Sequence, residues 1–368
     1  MQDLFELADD LGPAKILHVR EPTVGMKAIV VVDNVAAGPA IGGTRMAPDV
    51  SVEECFRLAR AMTLKNAAAG LAHGGAKSVI FGDAAMPAES KERIMRAFAA
   101  AISDVEDYIP GPDMGTNETA MAWVRDEIGR AVGLPRVLGG IPLDEIGATG
   151  YGLAVAAEIA QEYGGPVLQG ARVVVQGFGA VGAHAARFLA EKGAVLVAAS
   201  DSRATIADPN GLDVAALVSH KRETGHLDTY ERGTKLDRDA IIAIPCDIWI
   251  PAARPDVLRA DNVDQVDAKL VLQGANIPAT DEAEERLHAR GILSIPDFIA
   301  NAGGVICASV EYGGGTQKVA LDTIAEKIAT NTRELLQAVR QNGLRPREAA
   351  IKLAEKRVRA AMALRRKY

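Results

Sequence analysis

A run of β-branched residues that breaks straight into spaced glycines, then into a helix and a second such run, leaves few folds open. Residues 172–176 (RVVVQ) are such a run, and Gly177-Phe178-Gly179-Ala180-Val181-Gly182 follows at once. Residues 183–192 then read as a helix and residues 195–199 as the next strand. In that setting the GxGxxG spacing has a mechanism. One glycine permits the tight turn, another lets the backbone approach a ligand, and the third seats the helix on the strand, while the helix amino terminus attracts a pyrophosphate. Strand-like runs at residues 247–251, 269–273 and 292–295 continue a parallel sheet, with turns at their carboxyl ends where a dinucleotide would sit. The expectation is an α/β chain with a doubly wound dinucleotide-binding domain.

At 368 residues the chain exceeds what one core usually serves, so two domains are expected, with Gly139-Gly140-Ile141-Pro142 as the boundary. A formal net charge of −7, with Lys and Arg concentrated only in the last helix, argues against a nucleic-acid partner. No apolar run reaches the roughly 18 residues of a membrane span, and the start, MQDLFELADD, is acidic where a signal peptide would be basic. Cys55, Cys246 and Cys307 lie far apart without metal-ligand spacing and read as reduced, packed thiols, so no metal site is expected. A cytoplasmic enzyme or binding protein remains.

Residues 63–83, TLKNAAAGLAHGGAKSVIFGD, hold the chemistry of the other half. Ser51 with Glu54 forms a capping box that opens a helix over residues 52–69, and on it Lys65 shares a face with Leu58, Met62 and Ala69. Lys77 follows a Gly74-Gly75 turn and opens a strand over residues 78–81. A lysine among apolar neighbours has a depressed pKa and suits a base or an anion clamp; two lysines snorkelling past an amphipathic helix are the other reading. Residues 38–45 form a glycine-dense loop in which the backbone at Gly42 can approach a ligand. Residues 109–117 form a stiff Pro- and Gly-rich loop around Asp113, a turn or cap aspartate if nothing else claims it. His73 reads as structural. Two early strands joined at residues 22–25 begin the fold, and helices over residues 319–341 and 346–366 close it.

The blocks GPAIGGTRM, TLKNAAAGLAHGGAKSVIFGD, GPDMGTN, GATGYG, VQGFGAVG, QGAN and NAGGV, in this order over residues 15–312, resemble those of the amino-acid dehydrogenases that act on glutamate, leucine, phenylalanine and valine. The first half resembles the leucine enzymes most. The resemblance implies a substrate-binding and oligomerisation domain at residues 1–142, rejoined by C-terminal helices at about residues 335–368, and a Rossmann-type domain at residues 143–334. It implies NAD(P)-linked, reversible oxidative deamination of an L-amino acid to its 2-oxo acid and ammonia, in the cleft between the domains of a homo-oligomer. Lys65 matches the lysine that holds the substrate α-carboxylate, Lys77 the catalytic lysine and Asp113 the aspartate that assists proton transfer. Asn276 and Asn301 match contacts to substrate and nicotinamide, and Thr149 one near the carboxamide.

Glutamate-using members place a lysine where Ile41 stands and a serine where Ala308 stands. An unpaired carboxylate buried against Ile41, Met62, Val305 and Ala308 would cost several kcal/mol, so an apolar substrate is expected. Leucine, valine and isoleucine are favoured, with phenylalanine as the alternative because Gly111 and Ala308 are small; a glutamate enzyme and a non-catalytic nucleotide sensor are the others. At the strand end, Asp201 offers a carboxylate for the ribose of NAD, and Arg203 a cation for the 2′-phosphate of NADP. The family's strand-end aspartate comes one position late here, with Ser200 in its place. NAD is the expected cofactor, with NADP the alternative.

Overall fold

The structure, a computed structural model, describes residues 7–365. The first six residues of the acidic start and residues 366–368 at the end of the expected last helix lie outside the described residues. The chain divides into two compact units.

The first begins with β1 (Lys15–Glu21), β2 (Met26–Asn34), β3 (Ala40–Ala47), α1 (Val52–Ala68), β4 (Gly74–Phe81), α2 (Ala88–Ala101), β5 (Tyr108–Pro112) and α3 (Glu118–Ile128). The second contains α4 (Leu143–Ile146), α5 (Ala148–Ala160), β6 (Arg172–Gln176), α6 (Ala180–Glu191), β7 (Val195–Ser200), β8 (Thr205–Ala207), α7 (Val214–Thr224), β9 (Thr234–Leu236), β10 (Ile248–Pro251), β11 (Leu270–Leu272), α8 (Asp281–Ala289), β12 (Leu293–Ile295) and α9 (Asp297–Ala300). α10 (Gly303–Tyr312), α11 (Gln317–Asn342) and α12 (Pro346–Ala363) are shared in sequence between the two.

The first unit's sheet has the order β1-β2-β4-β3-β5, with β3 parallel to β4 and β5 and the other pairs antiparallel. Strand alternation splits its side chains between two cores. Val30, Val32, Ala76 and Ile80 meet Phe98, Met121 and Val124 of α2 and α3, whereas Ile29, Val31 and Val79 meet Cys55 and Ala59 of α1. The Ser51 hydroxyl caps α1 by accepting from Glu54 N.

Three expected non-strand stretches are strand. Most of residues 38–45 lies in β3, residues 108–112 form β5, and the Gly74-Gly75 pair begins β4 rather than making a turn. Their glycines serve close approach rather than bending: a Cβ on Gly42 would sit 1.7 Å from Ala76 O, one on Gly74 1.7 Å from Asn34 O, and one on Gly75 2.0 Å from Thr63 N.

The second unit's sheet runs β12-β11-β10-β6-β7-β8-β9. β12 to β7 are parallel, and β8 and β9 extend the edge antiparallel. These two strands, three residues each, are too short to show a period in the sequence.

Near the carboxyl end the two units differ from the expected division. The first unit also takes Val305–Ala320, and it resumes at Ile351 rather than near residue 335; Leu321–Ala350 belongs to the second. Packing explains this. Ile328 of α11 fills the space left by Gly152 of α5, where a Cβ would lie 2.4 Å from Ile328 Cδ1. Further on, Arg357 of α12 donates to Ala67 O and Ala68 O at the end of α1.

Within the first unit the buried Glu311 of α10 accepts from Leu134 N at 3.0 Å and Ile141 N at 2.8 Å. Glu311→Ala strands both donors and is expected to destabilise the protein by about 2 to 5 kcal/mol. Denaturant unfolding checks this, and a loss below about 0.5 kcal/mol would show that the clamp is dispensable.

Candidate active site

Period-two alternation places Ile41, Gly43 and Arg45 of β3, Gly75 and Lys77 of β4, and Ile109 and Gly111 of β5 on one face, with Asp113 just beyond β5. The Lys77 ammonium, 7% exposed, donates to Asp113 Oδ2. Only glycine fits between them at position 43: a Cβ there would lie 2.9 Å from Asp113 Cβ and 3.1 Å from Lys77 Nζ. Burial pulls the Lys77 pKa below the ordinary ammonium value, against the opposing charge and hydrogen bond of Asp113. For Asp113 burial works upward, yet Lys77, the Met114 N–H and Arg45 together hold it below the usual carboxylate value. Thr116 fixes the loop, its hydroxyl accepting from Asp113 N and donating to Thr44 O.

Arg45 was not singled out by the sequence reading. Its Nε donates to Asp113 Oδ2 at 3.3 Å and its Nη1 pairs with Glu54. Its position two residues beyond Gly43 on the same strand face was the available signal. On the opposite face the fully buried Tyr108, Ser78 and Thr44 share a hydroxyl chain, and the Tyr108 hydroxyl also donates to Gly42 O. Gly42 is packed closely against Ala76 and accepts from the Tyr108 hydroxyl.

Lys65 occupies the last turn of α1, half-buried. Its neighbour Asn66 donates to Gly74 O at 2.7 Å and Ile41 O at 3.4 Å, which fixes this helix end against β4 and β3. Ile41, Ile109 and Val132 form a buried apolar cluster with Ala308 packed on it; Met62 and Val305 are half-buried. His73 Nδ1 lies 3.0 Å from Pro39 O and its ring meets Tyr312 edge-on, a structural arrangement.

In the second unit the three motif glycines separate by role. Gly177 has φ +93°, and a Cβ there would meet Ala253 N at 2.6 Å. Gly182 is fixed by packing, since a Cβ would lie 2.2 Å from Gly177 O and 2.7 Å from Val175 Cγ1. At Gly179, which precedes α6, a Cβ would meet nothing within 4 Å. That open approach to a helix amino terminus fits a dinucleotide pyrophosphate. Ala180 and Val181 form the helix start, the first exposed and the second half-buried. Phe178, 1% exposed, also borders the adjoining cavity of about 400 Å³.

Thr149 lies in the first turn of α5, half-buried, where its hydroxyl faces Gly304. Asn301 Nδ2 donates to Asn276 Oδ1 at 2.9 Å, while Asn301 Oδ1 is buried with no partner among the described residues. These two asparagines are thus brought together.

The two residues expected at the cofactor's ribose, Arg203 and Asp201, both have partners within the protein. Arg203 faces Asp228 at 3.5 Å rather than the cavity. Asp201 borders the cavity, and its carboxylate accepts from Arg203 N, Ala204 N, Leu227 N and Lys221 Nζ. Gln176, Ser202, Lys221, Arg238, Asp239 and Arg254 also border the cavity, outside the motif and with no sequence spacing that would flag them.

A nucleotide cradle in one unit and a buried ammonium–carboxylate pair in the other define the class, a two-unit α/β oxidoreductase acting on a small molecule. The chain belongs to the Glutamate/Leucine/Phenylalanine/Valine dehydrogenase family: the model of that description matches residues 139–366, and that of the Glu/Leu/Phe/Val dehydrogenase dimerisation domain matches residues 13–130. It is an NAD(P)-dependent amino-acid dehydrogenase. It is 39% identical over 356 residues to a glutamate dehydrogenase of Aeropyrum pernix, spanning 90% of this chain and 85% of that one. A glutamate dehydrogenase of Thermotoga maritima is 40% identical over 293 residues, 76% of this chain and 70% of the relative. Among solved structures, the hetero-hexameric glutamate dehydrogenase of Thermus thermophilus in its Leu-bound form superposes with a TM-score of 0.84 at 30% identity, covering 97% of this chain and 91% of that one. The L-tryptophan dehydrogenase of Nostoc punctiforme gives 0.77 at 25% identity, covering 98% and 99%. No helix among the described residues is long and apolar enough to cross a membrane.

Proposed function

We propose that this dehydrogenase acts on an apolar L-amino acid, with leucine, valine and isoleucine preferred and phenylalanine next. One observation carries the reading: Ile41, Ile109 and Val132 form an uncharged, buried cluster, with half-buried Ala308 packed on it, at the sheet face that holds Lys77. A side-chain carboxylate placed there would lose its hydration with no cation to replace it, at a cost of several kcal/mol. Glutamate is the second reading, favoured by relatives named glutamate dehydrogenase.

Lys65 binds the α-carboxylate, and its ammonium fixes one end of the substrate while the apolar cluster receives the other. Bound NAD(P)+ supplies the acceptor for the hydride leaving the substrate Cα. Neutral Lys77 then takes a proton from the water that attacks the resulting imine carbon. Asp113 relays a proton between Lys77 and the amino group, which leaves as ammonia when the carbon–nitrogen bond breaks and the 2-oxo acid forms. Its burial favours the neutral amine that this role requires, and the intact Lys77–Asp113 pair weighs against a sensor without turnover. The dimerisation-domain match supports a homo-oligomer.

The test is a panel of oxo acids with ammonia and reduced cofactor. Consumption should be fastest with 4-methyl-2-oxopentanoate and its branched analogues; faster consumption with 2-oxoglutarate would establish the glutamate reading instead.

A further inference from the structure

We propose that the cavity at the carboxyl end of β7 receives a 2′-phosphate, so that this chain prefers NADP(H) to NAD(H). The inference rests on the NAD(P)-dependent reading and specifies which dinucleotide its cradle suits.

The first observation is a carboxylate already spent. A dinucleotide without a 2′-phosphate presents two ribose hydroxyls, and the usual receptor for them is an acidic side chain at the end of the second strand. Ser200 ends that strand, and its carbonyl is used by Gly177 N at 3.0 Å and Phe178 N at 2.7 Å. Asp201, the next residue, has its side chain 5% exposed. Its Oδ1 accepts from Arg203 N at 2.8 Å and Ala204 N at 3.2 Å, and its Oδ2 from Leu227 N at 2.8 Å and Lys221 Nζ. These four donors saturate the carboxylate. Asp201 organises the loop and α7; it does not face a ribose.

The second observation is the charge of the wall. Lys221, Arg238 and Arg254 border the cavity together with the carboxylates of Asp201 and Asp239, so cations are in excess by one. Arg238 is held by Asp239, and Lys221 by Asp201. Arg254 is exposed and makes no hydrogen bond or close ion pair among the described residues, acting on Asp239 only through its charge. Ser202, also exposed, adds a hydroxyl. A 2′-phosphate brings strong acceptor oxygens and a charge of about −1.5 to −2, which the excess cation of this wall offsets in part, whereas a bare ribose leaves that cation unmet.

The experiment is calorimetric titration of the full chain with 2′,5′-ADP and with 5′-AMP, which reports binding without turnover. The expected result is that 2′,5′-ADP binds about 10- to 100-fold more tightly, a gap that shrinks as salt is raised. Arg254→Ala, at an exposed position where folding is not at stake, should weaken 2′,5′-ADP about tenfold and leave 5′-AMP within about twofold. Equal affinity for the two nucleotides, or a preference for 5′-AMP, would overturn the proposal, as would an Arg254→Ala variant that keeps the full preference. No amino acid is present in the titration, so a negative result leaves the apolar-substrate reading standing, and a failed oxo-acid panel leaves this one standing.

Discussion

Lys77→Ala is expected to lower kcat by about 10²- to 10⁴-fold while dinucleotide affinity stays within about twofold of the unaltered enzyme. The variant removes the proton acceptor from one unit and leaves the glycine cradle of the other untouched. Steady-state rates together with cofactor titration check it; a rate within tenfold of the starting enzyme would remove Lys77 from the mechanism. The pH profile gives a second readout. Oxidative deamination needs the neutral amine, so kcat/KM rises with pH and levels off once Lys77 has lost its proton. Because burial pulls that pKa down, the plateau begins below the ordinary ammonium range. Asp113 favours the charged amine, so in Asp113→Asn the limb moves to lower pH even as the rate falls.

The second large effect concerns the side-chain pocket. Ile41→Lys places an ammonium in the cluster with Ile109, Val132 and Ala308. With an apolar oxo acid bound, that charge is buried and unpaired; with 2-oxoglutarate it meets the second carboxylate. The difference is about 3 kcal/mol, so the ratio of kcat/KM values for 2-oxoglutarate and 4-methyl-2-oxopentanoate should rise by roughly 10²-fold. Measuring both substrates on both proteins decides the matter, and an unchanged ratio would mean that the Ile41 side chain does not touch the substrate.

The nucleotide-binding half was legible because its signal is local: a β-branched strand, three glycines with distinct duties and a helix lie within residues 172–191. Lys77 and Asp113 were legible as residue types in apolar or glycine-rich settings. Their pairing was not, since it depends on β4, β3 and β5 lying side by side, a long-range register that no local period encodes. The same blindness turned β3 and β5 into loops, because glycine and proline read as punctuation until a neighbouring backbone is seen to need the space. Arg203 was singled out for the opposite reason. It is adjacent to the motif strand in sequence, but the loop carries it to Asp228, while Arg254 arrives from beyond β10.

Arg357, which donates to Ala67 O and Ala68 O, has a consequence for biosynthesis. The first unit holds the first 142 residues, yet it also needs Val305–Ala320 and the chain from Ile351 onward. A ribosome therefore emits the lysine-bearing helix long before the arginine that caps its end has been translated. This unit is thus sealed by chain that is translated well after its sheet.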